Sequence, residues 1–559
     1  MPTEPVTSAP RQFWFQPSWP DLLAGGLLLV GVVLRTVLYL SNRSLWNDEY
    51  QLVRNILRRS PGGLLQPLDY DQGAPVGFLL VEKLAAWLFG DHAYAFRLVP
   101  FLAGLASLVL FFVIARSYLR PTAFPVAVGL FALNYPLIYY AAETKQYATD
   151  VAITLLLHLF ALRFMGEGGR SRALTVSFAV VSGLSVWFSH PAIFTLAGLG
   201  VVLGSIFLLQ KDGKRVLALL GVCLTFSLSF LGCYVFSLRN LRGNDYLMDF
   251  WKEGFPPLPP ASVSDLLWFP RTLLAVLNHP VGFPIVSLGV VAVVAGALTL
   301  YQDRKPLNLH LVPMVFTLLA AALHAYPFAE RLILFLVPSV LLVLAAGLDR
   351  MRHDLARTSR LRGEPLVPLV GAFFFLLFPL VYLLRGAALV PICLRTGSFF
   401  WTIALFLGLL VLWGAQQRRR IGRLPLPNKV TIGCLLLAGV LEGASFFGHL
   451  SDYVMPDWSD IAAVVEEQRT PGEPVVLTEW DAMTLHFYLE PSHEPEPDSP
   501  LITIDDFRSQ IARTGAPPAC LVVCSECPER IASLSIGRAL LEAPGHQFRV
   551  LRYEAAITR

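Results

Sequence analysis

The sequence carries little charge for its length. Only 15% of its 559 residues are Asp, Glu, Lys or Arg, whereas a soluble globular chain carries roughly 25%. Hydrophobic residues make up 55% of the chain. This balance excludes an ordinary soluble protein and predicts an integral membrane protein with several apolar spans.

Other features are also missing, and each absence removes a class of function. Basic residues occur in short clusters and form no long basic face, which argues against a nucleic-acid partner. The sequence has no glycine-rich nucleotide loop, so it gives no support for a soluble nucleotide-activated donor. The N-terminus lacks a cleavable signal pattern, and the first apolar run is therefore interpreted as an uncleaved helix.

A transmembrane helix takes roughly 20 apolar residues. By that measure the sequence predicts a polytopic α-helical protein with about 13 transmembrane helices, at 21–40, 97–116, 123–140, 148–165, 173–189, 191–209, 216–237, 282–301, 307–325, 331–348, 366–384, 398–415 and 430–448. The apolar segment 75–90 is interrupted by Glu82 and Lys83, which favours a helix at the membrane surface.

Lys and Arg alternate between the two sides of this layout. With the N-terminus in the cytoplasm, the inside loops hold the basic clusters at 116–120, 163–172, 211–215, 304–305, 350–362 and 418–423. The short outside loops hold few basic residues. Because cytoplasmic loops of membrane proteins are enriched in Lys and Arg, this pattern predicts a cytoplasmic N-terminus and an external C-terminus. We expect a multi-pass protein of the cell membrane, in a bacterial cell the inner membrane.

Three external segments are too long to be simple connections: 41–96, 239–281 and the C-terminal stretch. In the last, residues 450–559 are predicted to form a soluble α/β domain, distinct from a transmembrane domain at 1–449. Its strands include "CLVVC" and "FRVLRYE", and "ERIASLSIGRALLEA" is predicted to be a helix. An oxidising exterior would permit a disulfide among Cys520, Cys524 and Cys527, whereas a zinc site lacks an obvious fourth ligand.

The predicted outer ends of the spans concentrate polar, ionisable and aromatic side chains. These are Asp48, Glu49, Asp69, Asp71, Glu143, Lys145, Gln146, Tyr147, Asp150, His190, His324, Tyr326, Glu330 and Arg331. Taken singly, each could be an ordinary loop or span-end residue. Together they lie at one depth, and ionisable residues at a membrane interface are functional candidates.

A lipid-linked substrate with a polar head suits a site at this depth. Lys145 and Arg331 are candidates for binding a donor phosphate, because cations neutralise a phosphate leaving group. A carboxylate could take the proton of an acceptor hydroxyl. Candidate substrate-binding residues are Asp71, Glu143, Tyr147, His190 and Tyr326. No ligand spacing decides for or against a divalent metal ion.

Several stretches resemble the GT-C superfamily of membrane glycosyltransferases, in the branch of protein O-mannosyltransferases and aminoarabinose transferases. They are "LWNDE" after the first span, "PVGFLLVEKLAAWLFGDHAYAFRLVPFLAGLASLVL", "YYAAETKQYATDV" and "YPFAERLILFLVP". The resemblance extends over most of the chain and implies an external site that uses a polyprenyl-phosphate sugar donor, usually with inversion. It also implies that the first-loop acidic pair is catalytic, with Asp48 as the base and Glu49 as its structural or metal-binding neighbour.

The sequence departs from this family in two places. Aminoarabinose transferases tend to have Lys before the proline of the first-loop turn, where this chain has Gln72, Gly73, Ala74 and Pro75. The stretch "ETKQY" replaces a commoner Glu-Ala-Arg pattern, so Lys145 stands where Arg is usual. The acceptor, whether a glycan, a lipid or a protein hydroxyl, is left open.

Two other functions fit parts of the same pattern. An O-antigen-ligase-like enzyme would depend on an external Arg and His pair, such as Arg331 with His190, more than on Asp48. A transporter or flippase of lipid-linked sugars would be expected to show internal repeats and polar residues at midplane. The sequence has no clear repeat of its hydropathy pattern, and its polar residues cluster at one interface.

Overall fold

The structure is a computed structural model that describes most of the first 358 residues and parts of the C-terminal region. The described residues are 18–166, 171–240, 244–283, 286–303, 305–358, 458–470, 473–477, 485, 501–503, 507, 509, 513, 520–524, 539–544 and 549–553. The predicted spans at 366–384, 398–415 and 430–448 therefore lie outside the described residues, and so do Cys393, Cys434 and Cys527.

The described residues between 18 and 358 form helices and the turns that join them. The helices are α1 (Trp19–Leu40), α2 (Asn47–Arg58), α3 (Val76–Phe89), α4 (Ala93–Tyr118), α5 (Ala123–Ala132), α6 (Tyr135–Tyr139), α7 (Tyr147–Met165), α8 (Arg172–Phe188), α9 (Ala192–Leu209), α10 (Gly213–Phe236), α11 (Asp245–Phe250), α12 (Val263–Leu266), α13 (Trp268–Asn278), α14 (Val286–Gln302), α15 (Asn308–Ala322) and α16 (Val337–Thr358). Short 3-10 turns add Gly63–Leu65, Asp69–Asp71, Tyr140–Ala142, Leu238–Asn240, Lys252–Gly254 and Glu330–Leu336.

Six stretches of the described chain are long and apolar enough to cross a membrane. They are α1, α4, α7, α9, α10 and Glu330–His353, and a bent pair formed by α5 with the segment Tyr135–Ala142 would make seven. The apolar α8, α14 and α15 are shorter. Their bounds lie within a few residues of the predicted spans. The chain is thus a multi-pass helical membrane protein.

The span predicted at 123–140 is broken, with a bend of 53° between its halves. The break has a local cause at Asn134. Its side-chain oxygen accepts a hydrogen bond from the Leu137 N–H at 2.9 Å and so caps α6, while Pro136 occupies the first turn. A capping Asn followed by proline starts a new helix and interrupts the old one. The backbone therefore turns toward the segment 143–146.

Glycines allow α14 and α16 to approach each other to backbone contact. Gly296 of α14 and Gly347 of α16 face each other, and a Cβ at Gly296 would overlap the carbonyl group of Val343. A Cβ at Gly347 would likewise overlap the carbonyl group of Ala292. Small residues let two membrane helices approach to backbone contact. This contact fixes α16, the helix that follows the turn containing Arg331.

The described C-terminal segments form a helix, α17 (Trp458–Gln468), and a five-stranded sheet of order β2-β1-β3-β5-β4. The strands are β1 (Val475–Leu477), β2 (Leu501–Thr503), β3 (Cys520–Cys524), β4 (Ala539–Pro544) and β5 (Arg549–Tyr553). Strand β1 is parallel to β2 and β3, and β5 is antiparallel to β3 and β4, with Cys520 opposite Tyr553.

The segment 529–543 was expected to be helical, but its end, from Ala539, is β4. Pairing with β5 overrides the local helical preference of "ALLEA" there. Cys520 is buried and carries a free thiol, so it does not take part in a disulfide.

Candidate active site

The acidic pair Asp48 and Glu49 lies in the first turn of α2. Carboxylates are favoured there because the N-terminus of a helix carries a partial positive charge. The apolar face of α2, with Leu52, Val53 and Ile56, is fully buried and holds the helix in place. The two carboxylates, although adjacent in sequence, enter different surroundings.

Glu49 lies in a fully buried ion pair. Its carboxylate accepts hydrogen bonds from Arg97 Nε at 2.9 Å and Arg97 Nη2 at 2.6 Å, and the two side chains are 0% and 2% exposed. Arg97 also donates to the carbonyl oxygens of Arg43 and Ser44. Burial opposes ionisation of Glu49, but the charges of Arg97 and Arg43 outweigh it and hold the pKa of this carboxyl below its ordinary value. The pair of Glu49 and Arg97 thus connects the segment after α1 with the start of α4.

Glu49 also sets the position of the loop before α7. Its Oε1 atom accepts a hydrogen bond from the Thr144 N–H at 2.8 Å. Arg43 lies over the Tyr139 ring at 4.3 Å and donates to the carbonyl oxygen of Ala142 at 3.1 Å. Because Thr144 is held beside Glu49, the next residue along this loop falls beside Asp48.

Asp48 is bonded to the cation of that next residue. Its Oδ1 atom lies 2.8 Å from Lys145 Nζ and accepts a second hydrogen bond from Gln72 Nε2 at 3.2 Å. The same Gln72 side chain accepts a hydrogen bond from Lys145 Nζ at 2.6 Å and donates one to Gln51 Oε1 at 2.9 Å. Gln72 therefore fixes both Asp48 and Lys145.

Arg331 approaches Asp48 from the other side. Arg331 Nη2 lies 3.2 Å from Asp48 Oδ2, an oxygen with no hydrogen-bond partner in the described chain. The guanidinium group also lies near the rings of Trp46, Tyr147 and Trp251, at 5.8, 5.8 and 5.4 Å. Such cation–π contacts orient an arginine without consuming its N–H donors.

The two cations determine the charge state of Asp48. Burial opposes ionisation, but the charges of Lys145 and Arg331 outweigh it, so the pKa of the Asp48 carboxyl lies below its ordinary value. Asp48 and Arg331 remain 18% and 17% exposed, whereas Lys145 is only 5% exposed. A ligand would therefore meet Asp48 and Arg331 first.

Glu143 is buried close to this group, and neither of its carboxylate oxygens has a hydrogen-bond partner in the described chain. Burial and the charge of Glu49 raise the pKa of Glu143 to about 7, although Arg43 and Arg331 oppose this rise. A carboxyl group in this environment can change its protonation near neutral pH.

The other predicted substrate-binding residues have different surroundings. Tyr147 lies under the guanidinium group of Arg331. Tyr326 donates a hydrogen bond to the carbonyl oxygen of Leu332 at 2.8 Å and packs against Phe194. His190 lies between α8 and α9, its Nε2 atom is buried without a partner in the described chain, and burial lowers its pKa to about 4. Asp71 is exposed and accepts a hydrogen bond from Asn244 at 2.5 Å.

A metal ion does not fit the carboxylates that the structure brings together. The described residues contain no group of three His, Cys, Asp or Glu side chains placed to hold one. Hard divalent cations bind carboxylate oxygens, but Glu49 is paired with Arg97, and Asp48 with Lys145 and Arg331. No chemical step is therefore assigned to a metal ion.

Two residues of this region have roles that the sequence did not indicate. The hydrogen bonds of Gln72 to Asp48 and Lys145 join loops far apart in sequence. Arg97, the first residue of the span predicted at 97–116, is the partner of Glu49. Glu82, expected on a surface helix, is fully buried without a described hydrogen-bond partner, and burial raises its pKa well above the ordinary value.

Comparison with known proteins gives structural matches. No protein-family profile and no curated protein matches the chain. ArnT from Cupriavidus metallidurans in the apo state matches with a TM-score of 0.48 and 16% identity, over 95% of this chain and 98% of that chain. Its form bound to undecaprenyl phosphate gives a TM-score of 0.48 and 15% identity over the same shares.

A second similar protein is the archaeal oligosaccharyltransferase AglB from Archaeoglobus fulgidus, in complex with an inhibitory peptide and a dolichol-phosphate. It matches with a TM-score of 0.42 and 13% identity, over 86% of this chain and 61% of that chain.

Proposed function

We propose that this protein is a membrane glycosyltransferase that moves a sugar from a polyprenyl-phosphate donor to a hydroxyl group of an extracytoplasmic acceptor. The observation that carries the proposal is the cluster of Asp48, Lys145 and Arg331. These residues come from three segments far apart in sequence, and both cations lie within 3.2 Å of the one carboxylate. A base with two neighbouring cations matches the needs of transfer from a phosphate leaving group.

In the proposed reaction the acceptor oxygen attacks the anomeric carbon of the sugar. The bond from this carbon to the acceptor forms, the bond to the phosphate oxygen breaks, and its electron pair leaves with the phosphate. The acceptor proton passes to the carboxylate of Asp48. Lys145 and Arg331 stabilise the extra negative charge on the departing polyprenyl phosphate.

The remaining residues support this chemistry in different ways. Glu49, in its buried pair with Arg97, holds the first turn of α2 in position, and we assign it a positioning role. Tyr147, together with Trp46 and Trp251, orients the guanidinium group of Arg331. Glu143, His190, Tyr326 and Asp71 stay candidates for contacts with the sugar or the acceptor.

The proposal includes an arrangement in the membrane. Residues 1–449 form the transmembrane catalytic domain and residues 450–559 an extracytoplasmic α/β domain. The distribution of Lys and Arg in the sequence supports a cytoplasmic N-terminus. In that orientation Asp48, Lys145 and Arg331 face the outer side of the membrane, where a lipid-linked donor would reach them laterally.

The main alternative enzyme, an O-antigen-ligase-like transferase, would rely on Arg331 and His190. In the structure Arg331 is paired with Asp48, and the buried Nε2 atom of His190 is bonded to no described group. This favours the function built on Asp48. The polar groups also cluster at one end of the helices, which is an arrangement less suited to a transporter.

The test is a comparison of lipid-linked sugars in cells that lack the gene and cells that carry it. Mass spectrometry of the deletion strain should find a polyprenyl-phosphate sugar that accumulates and a glycan, lipid or protein that loses a sugar. The wild-type gene should reverse both changes, and Asp48→Asn should reverse neither. The matched control is Asp69→Asn, because Asp69 is an exposed acid of the same loop that pairs with Arg59.

Two results would contradict the proposal. One is a deletion strain with unchanged polyprenyl-phosphate sugars and unchanged surface glycans. The other is full complementation by Asp48→Asn at wild-type protein levels, which would remove the role assigned to Asp48.

A further inference from the structure

The two cations proposed to bind the donor phosphate have a partner within the protein itself. Lys145 lies 2.8 Å from one oxygen of Asp48, and Arg331 lies 3.2 Å from the other. A carboxylate and a phosphate are both anions that accept hydrogen bonds from Lys and Arg. Asp48 therefore already pairs with the two cationic groups, of Lys145 and Arg331, that a donor phosphate would need.

We propose, on the basis of the function above, that Asp48 and the donor phosphate compete for Lys145 and Arg331. Donor binding then displaces the cations from Asp48 and frees its carboxylate to accept the acceptor proton. Before the donor binds, Asp48 occupies the position of the donor phosphate. Once the donor has bound, Asp48 becomes an effective base. The donor must consequently bind before the acceptor can react.

The charges of the three side chains agree with this exchange. Asp48, Lys145 and Arg331 together carry one net positive charge. A polyprenyl-phosphate sugar is a phosphodiester with one negative charge, so the complex of donor and cluster is neutral. After transfer the phosphate has gained one negative charge and Asp48 has gained a proton, so the cluster with its product is again neutral.

Exposure and hydrogen bonding indicate which contact breaks. The pair of Asp48 and Arg331 is the partly exposed one, and Asp48 Oδ2 has no hydrogen bond in the described chain. Lys145 is buried and is held additionally by Gln72 Oε1 at 2.6 Å. A phosphate therefore first takes Arg331, while Gln72 keeps Lys145 in place to bind a second phosphate oxygen.

The experiment measures binding of undecaprenyl phosphate to the full-length protein in lipid nanodiscs, by native mass spectrometry or by a competition assay. If Asp48 competes with the phosphate, Asp48→Asn should bind this probe about tenfold tighter than wild type, within the usual range of coupling between two ligands of one site. Lys145→Met and Arg331→Met should bind it about tenfold more weakly. The control Asp69→Asn should bind it as the wild type does.

A second variant and a double variant sharpen the result. Asp48→Ser removes the charge without an amide, so it should also bind more tightly, and thermal melting identifies any variant that fails to fold. In the Lys145→Met background the gain from Asp48→Asn should shrink, because one of the two shared cations is absent.

The outcomes separate this inference from the function on which it rests. Equal or weaker binding by both folded Asp48 variants, with weakened binding by Lys145→Met and Arg331→Met, would overturn the competition and leave the phosphate site standing. Absence of binding in the wild type and in all variants would overturn the donor class itself, and the competition with it. Tighter binding by both Asp48 variants supports the exchange.

Discussion

Mutation of Glu49 should lower the stability of the protein, whereas mutation of the neighbouring Asp48 should abolish transfer and leave the fold intact. Glu49→Gln removes one charge of a buried pair and leaves Arg97, which is 2% exposed, without its counter-ion. Removal of one partner of a buried pair costs about 3–5 kcal/mol, a large part of the roughly 5–15 kcal/mol that stabilises a typical domain. We therefore expect Glu49→Gln to lower the melting temperature by several degrees and to reduce the yield of folded protein.

Asp48→Asn should instead keep the fold and abolish transfer. Lys145 keeps its hydrogen bond to Gln72, and Arg331 keeps its aromatic neighbours. The assay is thermal unfolding of both variants in one detergent, followed by complementation of the deletion strain. The matched control is Glu82→Gln, because Glu82 is equally buried but has no described hydrogen-bond partner, and burial raises its pKa well above the ordinary value.

The double variant Glu49→Met with Arg97→Met tests the cause of the instability. Replacing both partners of a buried ion pair by apolar residues is often nearly neutral. Here the N–H of Thr144 and the carbonyl groups of Arg43 and Ser44 would lose partners, so only part of the loss should be recovered. The reasoning is refuted if Glu49→Gln melts at the wild-type temperature and yet fails to transfer, because Glu49 would then act in the chemistry.

Two further predictions concern Glu143 and Gln72. The pKa of Glu143 is raised from an ordinary 4.5 to about 7, so wild-type stability should fall as the pH rises through this window. Above pH 7 Glu143→Gln should be more stable than wild type by about 3 kcal/mol. Melting curves of the two proteins should coincide at pH 4.5 and differ at pH 8. The same difference in melting temperature at both pH values would contradict the raised pKa of Glu143. Gln72→Leu removes a hydrogen bond to the charged Lys145, which contributes about 1.5 kcal/mol to stability, so it should lower the melting temperature. It should also weaken binding of undecaprenyl phosphate, because Lys145 is no longer held in place, and unchanged binding would contradict the role given to Gln72.

The sequence predicted the described helices well because hydropathy directly reflects membrane burial. The span predicted at 148–165 is the helix Tyr147–Met165, and the segment 75–90, also predicted to be helical, is Val76–Phe89. The break before α6 was missed although its signal, Asn134 followed by Tyr135 and Pro136, is present. The strand β4 was missed because its pairing with β5 is a long-range interaction that local propensity does not contain.

The site was predictable in its composition but not in its pairings. The depth of the charged residues follows from the span ends, and this brought Asp48, Lys145 and Arg331 into one set of candidates. Which carboxylate meets which cation depends on contacts across about 50 to 280 positions of sequence, such as Glu49 with Arg97 and Asp48 with Arg331. No local pattern distinguishes the buried pair from the partly exposed cluster; the family resemblance placed Glu49 in the catalytic acidic pair as the structural or metal-binding neighbour of Asp48.

The glycine contact between α14 and α16 makes the site sensitive to events several helical turns away. Gly347 lies ten residues beyond Val337, about 15 Å along the helix at 1.5 Å per residue. A larger side chain there cannot be accommodated without moving α16, and the turn that carries Arg331 moves with it. Since a misplacement of about 1 Å can cost roughly 100-fold in rate, inactive variants selected at random should include substitutions at Gly296 and Gly347. Such variants would mimic defects of the catalytic residues while leaving every one of them intact.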